Sequence, residues 1–151
     1  MARALRSNRG LTRLNLSGNV MPVQAAVALA DALAVNKNMG FVSLDQAELP
    51  LHDLRGTTEK QALDFSSQGL QVCDLAIIMK IIGSNRQLRS IDLSFNNLGS
   101  HTKLDRTGIP WMIHCLDKNG KLSHMSIVGN WNDAISVPAF GAEYGERVHW
   151  A

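Results

Sequence analysis

Asp64 and Asp92 come closest in this sequence to a catalytic arrangement. They are two carboxylates 28 residues apart (92 − 64), at matching positions of a repeated pattern. Folded side by side they could serve as a general acid and base, provided a pocket raised one pKa and held a substrate. On an open sheet they are simply solvated, and that is the expectation. His52, His101, His114, His124 and His149 show no metal-ligand spacing. His114 and Cys115 are neighbours on an expected helix, so their side chains diverge by about 100° and cannot share an ion. Cys73 and Cys115 lie 42 positions apart (115 − 73), outside any Cys-x-x-Cys motif, which supports neither a disulfide framework nor structural zinc. No GxSxG elbow, P-loop, GxGxxG or HExxH is present. The expectation is a protein that is not an enzyme, with no catalytic residue, metal or cofactor.

The bulk properties agree. Fifteen basic residues against thirteen acidic give +2 over 151 residues, too balanced for a dedicated nucleic-acid binder. The densest basic stretch is Arg3, Arg6, Arg9 and Arg13. Nucleic acid and anionic membrane are therefore not expected as the main partner. No apolar run approaches the ~20 residues of a membrane span, and no secretory signal opens the chain. With two reduced thiols, the expected setting is intracellular, the cytoplasm first, with an organelle left open.

What must position these residues is a repeat. Leu11-Thr-Arg-Leu14-Asn-Leu16-Ser-Gly-Asn19 and Leu88-Arg-Ser-Ile91-Asp-Leu93-Ser-Phe-Asn96 share one nine-residue pattern. Leu122-Ser-His-Met125-Ser-Ile127-Val-Gly-Asn130 follows with apolar swaps. Weaker copies begin at Met39, with Ala47 in the Asn position, and at Lys60, with Gln68 there. The starts 11, 39, 60, 88 and 122 are separated by 28, 21, 28 and 34 residues.

Three positions before four of these starts stand Asn8, Asn36, Asn85 and Asn119. Stepping back from the last three gives Leu33, Ala30, Leu29, Ala26; then Ile82, Met79, Ile78, Leu75; then Leu116, Ile113, Met112, Ile109. Their 3-4-3 spacing is that of an amphipathic helix on a sheet. Each unit should supply a short strand and a return helix. Stacked units bury Leu14, Val42, Leu63, Ile91 and Met125 as one column. Asn19, Asn96 and Asn130 should turn inward onto backbone groups between neighbours, with Ala47 and Gln68 breaking that ladder. Leu49 to Glu59 is too short for a full helix and should be a loop or one turn.

The pattern resembles leucine-rich repeats of the ribonuclease-inhibitor-like class, over about residues 1–130. Its shortened unit is similar to interruptions in algal and other protist repeat proteins. The resemblance implies an α/β fold, a right-handed horseshoe solenoid of about five repeats with a parallel concave sheet and convex helices. It also implies protein recognition without catalytic residues. The repeat domain is expected over 1–133, and 134–151 as an irregular C-terminal cap or arm. Residues 1–10 read as the end of a helix, so the first strand needs a cap, a partner or further chain beside it.

Residues between the buried ones should project from the concave sheet. Candidate partner-binding positions are Arg13, Asn15, Phe41, Asp45, Asp64, Asp92 and His124, joined by Trp131 and Trp150 near the end. Trp111, beside the convex helix face, reads as core, and Gly99 to Gly108 as a polar loop insertion. The expected role is a protein–protein interaction scaffold, a subunit of a larger assembly. The second reading is a regulatory or ligand-sensing fragment of a longer receptor-like or cytoskeletal protein.

Overall fold

The computed structural model describes residues 1–99, 108–130, 144 and 146–149. In chain order the elements are α1 (Ala2–Ser7), β1 (Arg13–Asn15), α2 (Val23–Val35), β2 (Phe41–Ser43), β3 (Glu48–Pro50) and α3 (Leu51–Arg55). There follow β4 (Ala62–Asp64), α4 (Val72–Ile82), β5 (Ser90–Asp92), α5 (Ile109–Lys118), β6 (His124–Ser126) and β7 (Val148–His149). The protein is mixed α/β, with five helices and a parallel sheet of four strands, β4 to β7, beside a three-stranded sheet, β1 to β3, among the described residues. The expected helix faces are buried apart from Ile113, which is half-buried. No helix among the described residues is long and apolar enough to cross a membrane.

Strands β1, β4 and β5 are each held to three residues by the chemistry that follows them. The side-chain oxygens of Asn15, Asp64 and Asp92 accept the N–H of Ser17, Ser66 and Ser94, two residues on, at 2.8, 2.9 and 2.8 Å. These Asx turns end the ladder. The residue just before each strand-end position is then left-handed: Gly18 at φ 77°, Ser67 at 54°, Phe95 at 56° and Gly129 at 77°. Asn96 and Asn130 turn inward as expected. The Asn96 amide donates to Phe65 O and Leu93 O, and its carbonyl accepts from Gln68 and Leu70 N–H. Asn130 donates to Leu93 O and Ile127 O. Among the described residues Asn19 bonds only locally, to Leu16 O and Ser17 O.

A second asparagine ladder runs along the helix ends, and it is the more deeply buried. Asn36, Asn85 and Asn119 are each 0% exposed. The Asn36 carbonyl accepts from Asn38 and Met39 N–H, and its amide donates to Leu5 O and Asn8 O at 2.6 and 3.1 Å. Asn119 repeats this, accepting from Lys121 and Leu122 and donating to Ile82 O and Asn85 O. Asn85 accepts from Gln87 and Leu88 and donates to Asp53 O and Leu54 O. One side chain thus shapes the helix-to-strand turn and satisfies carbonyls of the preceding unit.

The expected single parallel sheet is broken after β2. There Gln46 and Ala47 replace the left-handed residue and the asparagine, and the chain turns back instead of advancing. β3 pairs antiparallel with β2, Val42 opposite Leu49, and no ladder joins β2 to β4 among the described residues. The segment expected as a loop or one turn is β3 followed by the five-residue α3. The buried column is accordingly split into Leu14–Val42 and Leu63–Ile91–Met125. With only α3 in the third unit, α4 packs directly on α2. That explains why α4 is apolar around most of its circumference, burying Ile77 and Ile81 besides its expected face.

Two arginines take the place of the missing asparagines. The Arg55 guanidinium donates to Leu33 O from Nε and Nη2 and to Met39 O from Nη1, at 3.2, 2.8 and 2.7 Å. Arg147 donates to Leu116 O, Asn119 O and Leu122 O at 3.1, 3.0 and 2.6 Å. Leu33 and Met39 flank Asn36 by three residues on either side; Leu116 and Leu122 flank Asn119 in the same way. Arg147 leads into β7, which pairs parallel with β6, Met125 opposite Val148. Part of the stretch expected to be irregular, 134–151, therefore continues the sheet. Tyr144 donates to Asp117 Oδ1 at 2.6 Å.

Candidate functional site

The residues between the buried columns project from the sheets in two groups. On the first sheet Arg13, Phe41 and Glu48 come from three neighbouring strands. The Arg13 guanidinium carbon lies 4.8 Å from the Phe41 ring centroid, and its Nε is 3.1 Å from Glu48 Oε2. Arg13 and Phe41 are register partners, so the strand pairing itself stacks cation on ring. Arg13 was readable as a surface residue, but Glu48 was not, because its strand comes from the unforeseen antiparallel turn.

On the second sheet Asp64 and Asp92 are register partners, as expected. They are local in their bonding. Asp64 Oδ1 accepts both the N–H and the hydroxyl of Ser66, which holds its carboxyl below the usual aspartate value. Asp92 accepts from Ser94 N–H. Both aspartates line an open depression with Ser90 and His124. Across the next junction His124 and His149 bring their ring centroids to 4.3 Å, inclined by 36°. His149 was not among the expected surface positions, because β7 follows no recognisable repeat.

Asp45 belongs elsewhere. It lies past the end of β2, and its Oδ2 accepts from Gln71 Nε2 at 2.7 Å, bridging the break between the sheets. Asn15 is exposed, but its oxygen is committed to the Ser17 N–H. Trp131 and Trp150, like most of the 99–108 insertion, lie outside the described residues. Trp111 is half-buried and helps line a convex groove with Val27, Ala30, Met79 and His114.

Two further features were missed. Phe95 is 64% exposed although it occupies a left-handed position, and its ring lies against Gly129, where an added Cβ would meet it at 2.7 Å. Asp74 is 1% exposed, and its Oδ2 accepts from Gln71 N–H in a capping box at the start of α4. Its other oxygen has no partner among the described residues. Burial, with the nearby Asp45 charge adding to it, pushes its carboxyl up to about 6. Among the described residues no cluster of three or more His, Cys, Asp or Glu could hold a metal. Cys115 is buried, its thiol pushed up to about 12 by desolvation, the reverse of an activated nucleophile.

No protein-family model matches the chain, and no curated protein sequence matches it. Among solved structures, one described as "Leiomodin-1 Actin-Binding Site 2 (ABS2)" is similar, with a TM-score of 0.38 and 15% sequence identity. The alignment covers 83% of this chain and spans 58% of that structure's length.

Proposed function

We propose that the protein is a leucine-rich-repeat solenoid of the ribonuclease-inhibitor-like class, about five repeats long, working as a non-catalytic protein–protein interaction scaffold within a larger assembly. What carries this reading is the register of the strands. It lines up Arg13 with Phe41, Asp64 with Asp92, and Ser126 with His149 on an open face. Paired columns of exposed side chains on a rigid sheet suit a macromolecular partner better than a small molecule, which needs an enclosing pocket. The two asparagine ladders support the repeat reading, since each joins one unit to its predecessor. The paired carboxylates of Asp64 and Asp92 favour a basic or neutral element of the partner.

Cross-linking mass spectrometry on the native material tests this. The expected result is a particle well above the 16.5 kDa chain mass, from which Asp64→Lys with Asp92→Lys dissociates while a helix-face change at Asp117 does not. A chain that migrates alone, or a particle indifferent to the sheet-face pair, overturns the proposal.

A further inference from the structure

The shortened unit alters the helix layer as well as the sheet. Its helix α3 has five residues, where α2 has thirteen and α4 eleven. A recess of about 300 Å³ opens beside it, walled by the last turns of α2 and α4 and by α3 itself. The charged side chains that line this recess are all of one sign: Lys37, Arg55 and Lys80, with no aspartate or glutamate among the described residues.

Two of these cations lack a counter-charge. Lys80 Nζ is paired with Asp31 Oδ1 at 2.7 Å, but Lys37 and Arg55 make no ion pair among the described residues. Asp53, on α3, is already engaged by Lys60 at 2.6 Å. Arg55 is half-buried, and desolvation lowers its pKa with no carboxylate to offset that cost. A guanidinium carries two hydrogens on each terminal nitrogen. Leu33 O and Met39 O take one from each, which leaves one on each without an acceptor among the described residues. The Lys37 ammonium and the Ser84 hydroxyl, also at the recess, are uncommitted in the same way. A lysine just past a helix often serves only the carbonyl end of that helix. Here those carbonyls are already taken, Leu33 O by Arg55 and Ile82 O by Asn119.

Charge and donor geometry identify what fits. A phosphomonoester carries about −1.5 to −2 at neutral pH and offers three acceptor oxygens pointing in different directions. That matches two unpaired cations and donors arriving from three helices. A carboxylate would leave one cation bare, and its two oxygens lie in one plane. We propose that this recess binds a phosphomonoester, held by the Lys37 ammonium, the spare Arg55 hydrogens and the Ser84 hydroxyl. The volume leaves room for the phosphate and a few attached atoms. None of the exposed sheet positions of the proposed function lines this recess, so either reading can fail alone.

The test titrates the whole chain by calorimetry at constant ionic strength, with inorganic phosphate and with a short capped peptide carrying one phosphoserine. Saturable binding of at least one probe is expected. Peptide binding without phosphate binding identifies the ester as a phosphorylated protein side chain; phosphate binding identifies it as a small soluble ester. Lys37→Glu combined with Ser84→Ala should weaken binding by about tenfold or more. The free variant should keep its melting temperature, since both side chains are exposed and neither joins the carbonyl network. Lys121→Glu makes the same charge reversal elsewhere on the exposed surface and should leave the affinity unaltered. No saturable binding of either probe, or an equal loss from Lys121→Glu, overturns the proposal.

Discussion

The junctions closed by Asn36 and Asn119 and those closed by Arg55 and Arg147 satisfy carbonyls of a preceding unit with different side chains. An asparagine amide ends two bonds beyond Cβ, so it reaches the neighbouring carbonyls only when a full helix brings its own backbone beside them. It then also organises the following turn, because its oxygen accepts two N–H groups. Arginine reaches much further and can span the gap left by a short helix or by an incoming terminal segment. It has no acceptor, so the turn must be shaped by other means. After α3 that means is Gly56, left-handed at φ 74°, where an added Cβ would collide with the Asn85 side chain. The repeat is therefore a set of carbonyls to be satisfied, and the residue that satisfies them can change when the geometry does.

Removing Asn85 should break this comparison most severely. Asn85→Ala removes four hydrogen bonds made by a side chain that is 0% exposed, and although Asp53 O keeps the Gly56 N–H, the loss should be about 3 kcal/mol in urea denaturation. Arg55→Ala should cost somewhat less, about 2 kcal/mol, since the half-buried site lets water replace part of the guanidinium. Arg55→Lys should recover little of it, because three bonds to two carbonyls need the planar fork. Adding Thr57→Asn to the Arg55→Ala chain should not restore stability if helix length is what excludes asparagine there. Full recovery would show that the two closures are interchangeable.

A smaller effect of opposite sign is expected at Asp74, where α4 begins next to the same break. Its folded-state pKa lies above the ordinary 3.8, so the native state holds this proton more tightly than the unfolded chain does. The stability that the protonated form contributes is fully present below about pH 4 and is lost as pH rises through about 6. Asp74→Asn should therefore stabilise the protein at pH 7 by about 1–2 kcal/mol, flattening its melting temperature between pH 4 and 7. An unchanged pH profile would show that the carboxyl is not buried as described. The smallest effect should come from Phe95→Gly, which relieves a left-handed aromatic residue by up to about 1 kcal/mol. Partner binding that weakens in this otherwise stabilised variant would make Phe95 a contact residue.

Strand positions, helix faces and the inward turn of Asn96 and Asn130 were legible in the sequence because they depend on local periodicity and on side chains acting within a few residues. Asn8, Asn36, Asn85 and Asn119 were visible as a spacing, though the role of the last three was not: their amides bond to residues about 30 positions away, such as Asn36 to Leu5. The shortened unit was equally visible as a 21-residue step, while its outcome was hidden. Periodicity gives the length of a segment but not the direction in which a strand returns. Only tertiary structure decided that β3 runs antiparallel, that Glu48 thereby reaches Arg13, and that Arg55 and Arg147 close the two irregular junctions. Those results depend on which buried carbonyls remain unsatisfied once the units have packed, and no property of the local sequence encodes that remainder.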